Sequence, residues 1–174
     1  RLATLGVKHF CITGNMKFDV TPPPHMAARG AKLRSYFDHR PVFICGSTRE
    51  GEETLILDAY MKLDLPRALL IITPRHPQRF DQVAAIIEQH KLRYVRRSSL
   101  DLDADELPIP ENTQILLGDS MGEMYMYYAA SDLAFVGGSL VELGGHNLIE
   151  AFAMGKAVLT GQHTFNFSEI TEQA

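Results

Sequence analysis

Residues 137–150, GGSLVELGGHNLIE, hold two glycine pairs followed by His146, Asn147 and Glu150. The stretch leaves an apolar run, residues 132–136, that reads as a buried strand, and enters an apolar segment, residues 148–154, that reads as a helix. Glycine at a strand-to-helix turn lets backbone approach a phosphorylated ligand, and helix N–H groups then point at it. Glu150 falls about one turn into the helix, a position suited to the hydroxyls of a nucleotide sugar. Asn147 and Glu150 are three apart and share a helical face. The motif has neither the Gly-Lys-Ser/Thr of a Walker loop nor the first-strand G-x-G-x-x-G of a dinucleotide fold.

Three further loops carry polar or glycine-rich residues. In GSTREGEE, Ser47 or Thr48 could cap the next helix, and residues 50–53 suit its first turn. Arg49 fits capping poorly, because a cation at a helix start is unfavourable without an anion beside it. The motif therefore supports both a cap and a ligand contact. In PRHP, two prolines stiffen the turn that carries Arg75 and His76. A fixed arginine suits bidentate recognition of phosphate or carboxylate, and an ordinary exposed loop is the competing reading. In GDSMGEM, Gly122 sits where a first helical turn would be, a costly place for glycine unless backbone must come close to something. The Met and Tyr residues behind it read as core. Phe165 and Phe167, in HTFNFS, lie beyond another strand end and are read equally well as buried loop aromatics. The seven histidines are scattered without an i,i+4 pair, so no metal site is expected.

These loops need a frame that brings them to one edge. After Pro41 the chain alternates short apolar runs with helical patterns. Strands are expected at 42–45, 68–72, 94–96, 115–117, 133–136 and 157–160. Helices are expected at 52–63, 80–89, from Asp119 or Ser120 to 131, and 148–154. In the helix at 52–63 the inward stripe reads Leu55, Ile56, Ala59, Tyr60 and Leu63. A turn is expected at 46–51, and residues 98–111, acidic and with two prolines, should be loop. This is the pattern of βαβ units, a parallel sheet covered on both faces, with ligands beyond the carboxyl ends of its strands. Before Pro41, residues 9–13 read as a strand, Pro22 to Pro24 as a connector and 28–37 as a short helix.

The chain of 174 residues suffices for one α/β domain. A net charge of −4 gives no basic field for nucleic acid. Cys45 sits in an apolar strand and reads as a reduced core thiol. No apolar run approaches the ~20 residues of a membrane helix. The chain starts at Arg1 and stops in what reads as a helix begun and cut, so it is expected to be a fragment.

Taken together, six motifs in order resemble one family: TGNxKFD at 13–19, STREGEE at 47–53, PRHP at 74–77, GDSMGEM at 118–124, FVGGSLxxxGGHNLxE at 135–150 and TGxHTFNF at 160–167. They resemble the C-terminal half of bacterial 3-deoxy-D-manno-octulosonic acid (Kdo) transferases over nearly the whole chain. The resemblance implies a Rossmann-like three-layer parallel sheet, the C-terminal half of a GT-B glycosyltransferase. Residues 1–40 would be interdomain connector and domain edge, and 41–174 a truncated donor-binding domain. It implies an inverting, metal-independent enzyme without a cofactor, taking CMP-Kdo as donor and a lipid A precursor as acceptor. The acceptor site, the catalytic base and the membrane association would lie in an N-terminal domain that this chain lacks, at the cytoplasmic face of the inner membrane. The fragment alone would then be inactive.

By position, the resemblance implies that Arg75, beside His76, binds the CMP phosphate or the Kdo carboxylate. Met121, Gly122 and Glu123 would hold the cytidine side. Ser139, Gly144, Gly145, His146 and Asn147 would contact phosphate, and Glu150 ribose. Ser47, Thr48, Arg49 and Glu50 would line the cleft near the transferred sugar. Ala151 and Phe152 depart from the family, where a proline often follows the glutamate. A GT-B domain for a UDP-sugar and a non-enzymatic nucleotide-binding domain are the alternatives.

Overall fold

The computed structural model describes residues 3–9, 20–104 and 109–173. The expected strand at 9–13 and the motif at 13–19 fall almost wholly outside them. Six strands form one parallel sheet: β1 (Val42–Thr48), β2 (Leu69–Pro74), β3 (Tyr94–Arg96), β4 (Ile115–Leu117), β5 (Leu133–Val136) and β6 (Ala157–Leu159). Their order is β3-β4-β2-β1-β5-β6. The chain moves one way from β1 to β2 and the other way from β1 to β5, so strand order reverses between β1 and β5. In open parallel sheets such a reversal leaves a crevice at the carboxyl ends.

The helices divide between the two faces. On one face pack α1 (Pro24–Ser35), α4 (Met124–Ala130), α5 (Ile149–Ala153) and α6 (Ser168–Gln173). Their core includes Leu33, Phe37, Ile44, Ile71, Tyr127 and Tyr128. Leu33 and Phe37 are fully buried, so the segment before Pro41 builds core. Pro24 opens α1, where its missing N–H costs nothing. On the other face, α2 (Glu52–Met61) and α3 (Phe80–Gln89) cover a second core around Ile56, Leu57, Ile72, Val83, Ile87 and Leu117.

That second face is not fully covered. Phe43, Phe135 and Leu159 of the sheet line an open apolar groove with Leu55, Leu63 and Leu140. Of the expected inward stripe of α2, Leu55 and Leu63 stay about half exposed, while Leu57, outside the stripe, is fully buried. The helix is rotated because its first turn buries two glutamates, Glu52 and Glu53.

β1 runs three residues beyond the expected strand. Its pairing with β2 holds from Val42↔Leu69 to Gly46↔Thr73, slips at Ser47, and resumes at Thr48↔Pro74. Ser47 takes φ 55°, a left-handed conformation that costs a non-glycine residue energy. The opposite edge of the sheet is held by Arg40, whose buried guanidinium donates to the carbonyls of Arg67, Ala68, Glu111 and Thr113.

Candidate functional site

The crevice is built from the loops after β1, β2 and β5. At the β1 lip, neither Ser47 nor Thr48 caps α2. The N-cap is Gly51, at φ 89° and without a side-chain cap bond. The fully buried Thr48 hydroxyl donates to Glu53 Oε1 at 2.9 Å. Glu53 also accepts two bonds from Arg79, at 2.6 and 3.1 Å. Thr48 thus faces inward, while Arg49 is half-buried and Glu50 is exposed. Arg75 continues β2 and donates its backbone N–H to Thr48 O at 3.0 Å, which ties the two lips together.

The glycine-rich segment differs most from expectation. It is a long loop over residues 137–148, not a tight turn, and α5 has only five residues. The N–H groups of Gly138, Ser139 and Leu140 do form an anion nest. The anion in it is the Glu52 carboxylate, which accepts at 2.7, 3.0 and 3.0 Å. Glu52 is fully buried and also accepts from Arg49 N at 2.8 Å. A Cβ at Gly137 would lie 2.6 Å from Ser47 O and 2.8 Å from Glu52 Oε2, so only glycine fits between the lips.

Ser139 is turned away from the crevice. Its buried hydroxyl donates to Val136 O and accepts from Gly161 N, both at 2.8 Å. The loop then folds back on itself through Gly145 N to Gly138 O at 2.7 Å. Gly144 at φ 84° packs against Asn166, whose amide donates to Leu143 O at 2.9 Å. Asn147 precedes α5 rather than sharing its face with Glu150, and its Oδ1 accepts from Ile149 N at 3.1 Å.

Two arginines and a histidine stand around the crevice. Among the described residues the guanidinium groups of Arg49 and Arg75 have no hydrogen bond or ion pair. His146 Nε2 is buried without a partner. Burial, then Arg75, Arg49 and His76, lower the His146 pKa from its ordinary value, with Glu52 opposing. The ring is therefore uncharged at neutral pH. Half-buried Glu150 is pushed up by burial, with Arg75 opposing. Arg75 thus acts electrostatically on both His146 and Glu150, and the loops after β1, β2 and β5 meet at one site.

The β4 loop contributes differently. Met121 and Gly122 are exposed, the latter at φ 75°. Glu123 is buried and accepts from Arg97 at 2.8 Å and from Ser120, with Arg29 at 3.8 Å. No side chain caps α4. Asp119 instead accepts from Ser98 N at 2.8 Å, and Ser120 bonds the Tyr127 hydroxyl at 2.6 Å.

Comparison with known proteins follows this geometry. Residues 94–174 match the family model for glycosyl transferases group 1. The chain is 45% identical to a 3-deoxy-D-manno-octulosonic acid transferase of Haemophilus influenzae, over 98% of this chain and 40% of the relative. It is 43% identical to one of Bordetella pertussis, over 100% of this chain and 40% of that relative. A solved structure, the C-terminal CMP-Kdo binding domain of WaaA from Acinetobacter baumannii, superposes with a TM-score of 0.75 at 35% identity. The match covers 86% of this chain and 77% of that one. The chain belongs to the Kdo transferase family. It corresponds to the family's C-terminal domain and spans about two fifths of the length of the curated relatives.

Within this family domain, the residues that sequence reasoning missed are Glu52, Glu53 and their partners. Adjacent acids after a glycine read as helix-start acids. The signal available was their number: two neighbouring glutamates at the start of a mostly apolar helix, one of which a cap does not need. Among the described residues no group of three His, Cys, Asp or Glu side chains is placed to hold a metal ion. No helix among them is long and apolar enough to cross a membrane.

Proposed function

We propose that the domain binds CMP-Kdo and that the whole protein transfers Kdo from it to a lipid A precursor. One observation carries this reading. Two unpaired arginines and a histidine with an unpartnered buried nitrogen surround a crevice at the strand-order reversal of a chain whose net charge is −4. An anionic donor supplies the missing partners. The CMP-Kdo binding stated for the Acinetobacter domain supports the choice of donor.

In this reading Arg75, beside His76, holds the CMP phosphate or the Kdo carboxylate, and His146 with the 144–147 backbone completes the anion contacts. Glu150 accepts ribose hydroxyls, and Met121 with Gly122 flank the cytidine. Ser47, Arg49 and Glu50 face the transferred sugar. Thr48, Glu123 and Ser139 support these loops from behind, since their polar atoms are already engaged. Leaving-group charge on CMP is met by arginines placed before reaction, which supports a transfer without a metal ion; inversion is proposed on the family resemblance alone. The base and the acceptor groove are assigned to the part of the family's length outside this chain, as is attachment to the cytoplasmic face of the inner membrane. The domain alone should bind CMP and transfer nothing.

Calorimetric titration of the 174-residue chain with CMP, UMP and UDP tests the donor. CMP should bind more tightly than either uridine nucleotide. A clear preference for uridine or no nucleotide binding would overturn the donor, and Kdo transfer by this chain alone would overturn the placement of the base and acceptor groove outside it.

A further inference from the structure

We infer that Glu52 is a positioning residue that clamps the two lips of the donor crevice in register, an inference that rests on the donor-binding reading. The two lips come from distant parts of the chain: the loop after β1 carries Arg49, and the loop after β5 carries the 138–140 turn and, beyond it, His146. Among the described residues Glu52 is the one side chain bonded to both. Oε2 accepts from Arg49 N at 2.8 Å and Gly138 N at 2.7 Å, one donor from each lip. Oε1 accepts from Ser139 N and Leu140 N, both at 3.0 Å. The four bonds use the lone pairs of both oxygens, so the carboxylate is saturated and its position set from two directions.

The location gives the clamp its consequence. Strand order reverses between β1 and β5, and Glu52 fills the base of the crevice that this reversal creates. The backbone nest at 138–140 is thereby closed to a ligand phosphate. The donor must lie above it, against Arg49, Arg75 and His146. His146 is coupled to the same turn: its ring packs on Gly138, where a Cβ would come 3.0 Å from Nε2, and Gly145 N bonds Gly138 O at 2.7 Å. A shift of the 138–140 backbone therefore moves His146, and a shift of residue 49 moves Arg49. One carboxylate fixes the spacing between the Arg49 cation and the uncharged His146 ring.

Glu52→Gln tests this with nearly unchanged volume. A glutamine keeps one acceptor oxygen and presents an NH2 to two N–H groups, so one donor pair loses its partner whichever way the amide is turned. Leu57→Ala is the comparison: it removes a fully buried side chain from the same helix and touches neither lip. Two measurements separate the outcomes. Without nucleotide, amide hydrogen exchange at Arg49 and at residues 138–140 should accelerate in both loops in E52Q, beyond any change in L57A. Acceleration in one loop only, or equally in L57A, overturns the clamp. With CMP, E52Q should bind at least about ten-fold more weakly than wild type, and L57A within two-fold of it. Equal affinities of E52Q and wild type would refute a positioning role, whereas absence of CMP binding by wild type refutes the donor assignment and leaves the exchange test to decide the clamp. If E52Q does not fold, E52D keeps the charge, shortens the reach and should show the same losses.

Discussion

Arg75→Ala should weaken CMP binding and move two other groups that the substitution does not touch. Arg75 is exposed and has no hydrogen bond or ion pair among the described residues, so its removal should change stability by less than about 0.5 kcal/mol. A hydrogen bond to a charged group contributes about 1.5–3 kcal/mol, so losing the phosphate contact should raise Kd by about 10- to 150-fold. The same guanidinium is the largest charge effect lowering the His146 pKa and the named effect opposing the rise at Glu150. Without it, both pKa values should go up: His146 toward its ordinary value, Glu150 further from its own. NMR titration of the His146 ring and the Glu150 carboxyl would read this in the free domain, and calorimetry the affinity. An R75A variant that binds CMP like wild type refutes Arg75 as a phosphate ligand. An unmoved His146 titration refutes the shared site itself, because the three groups would then not face one another.

Three further outcomes are expected. Arg79→Ala leaves the fully buried Glu53 carboxylate without its ion-pair partner, which should cost about 3–5 kcal/mol and lower the melting temperature by roughly 10 °C in a calorimetric scan. A loss under 1 kcal/mol would mean that solvent reaches Glu53. Glu150→Gln should stabilise the domain at pH 7, because the folded state raises the Glu150 pKa and so disfavours its charged form. The gain should shrink as pH falls through that raised pKa toward the ordinary carboxylate range, where wild type is protonated too, and denaturant melts from pH 4 to 8 would show a pH-independent difference if the burial argument is wrong. His146 acts with the opposite sign: its lowered pKa means the unfolded chain takes up the proton first, so stability attributable to it falls as pH drops below about 6.5.

Much of the frame is legible locally. β3, β4, β5 and α3 match the expected bounds; β4 and β5 are short apolar runs, and α3 places Val83, Ala84 and Ile87 on one buried face. What was not legible depends on partners far along the chain. β1 overruns its expected end because β2 pairs with it past a left-handed Ser47. α2 turns Leu55 outward and Glu52 inward because the donors for that carboxylate lie at residues 138–140, on a different strand's loop. Side-chain caps expected from Ser47, Thr48, Asp119 and Ser120 give way to longer-range bonds, and the helix starts go without them. The arginines and His146 were recognisable as candidates by type. That Arg49 and Arg75 have no partner among the described residues was not, since an arginine's partner cannot be read from its neighbours in sequence.

The glycine-rich segment shows why composition alone misassigns a phosphate contact. Glycines and consecutive free N–H groups do make an anion nest, but an anion from the same chain can fill it. Here Glu52 does so, and on the donor-binding reading the work of meeting a ligand's charge passes from backbone dipoles to full cations on Arg49 and Arg75. The exchange has a physical consequence. A backbone nest holds an anion by several short directional bonds and discriminates little by charge. Arginines placed before the donor arrives stabilise most strongly the state in which negative charge is greatest, which for a nucleotide-activated sugar is the departing CMP. If Glu52 sets the distance between the loops after β1 and β5, it also sets how far the Arg49 charge stands from the His146 ring across the departing phosphate.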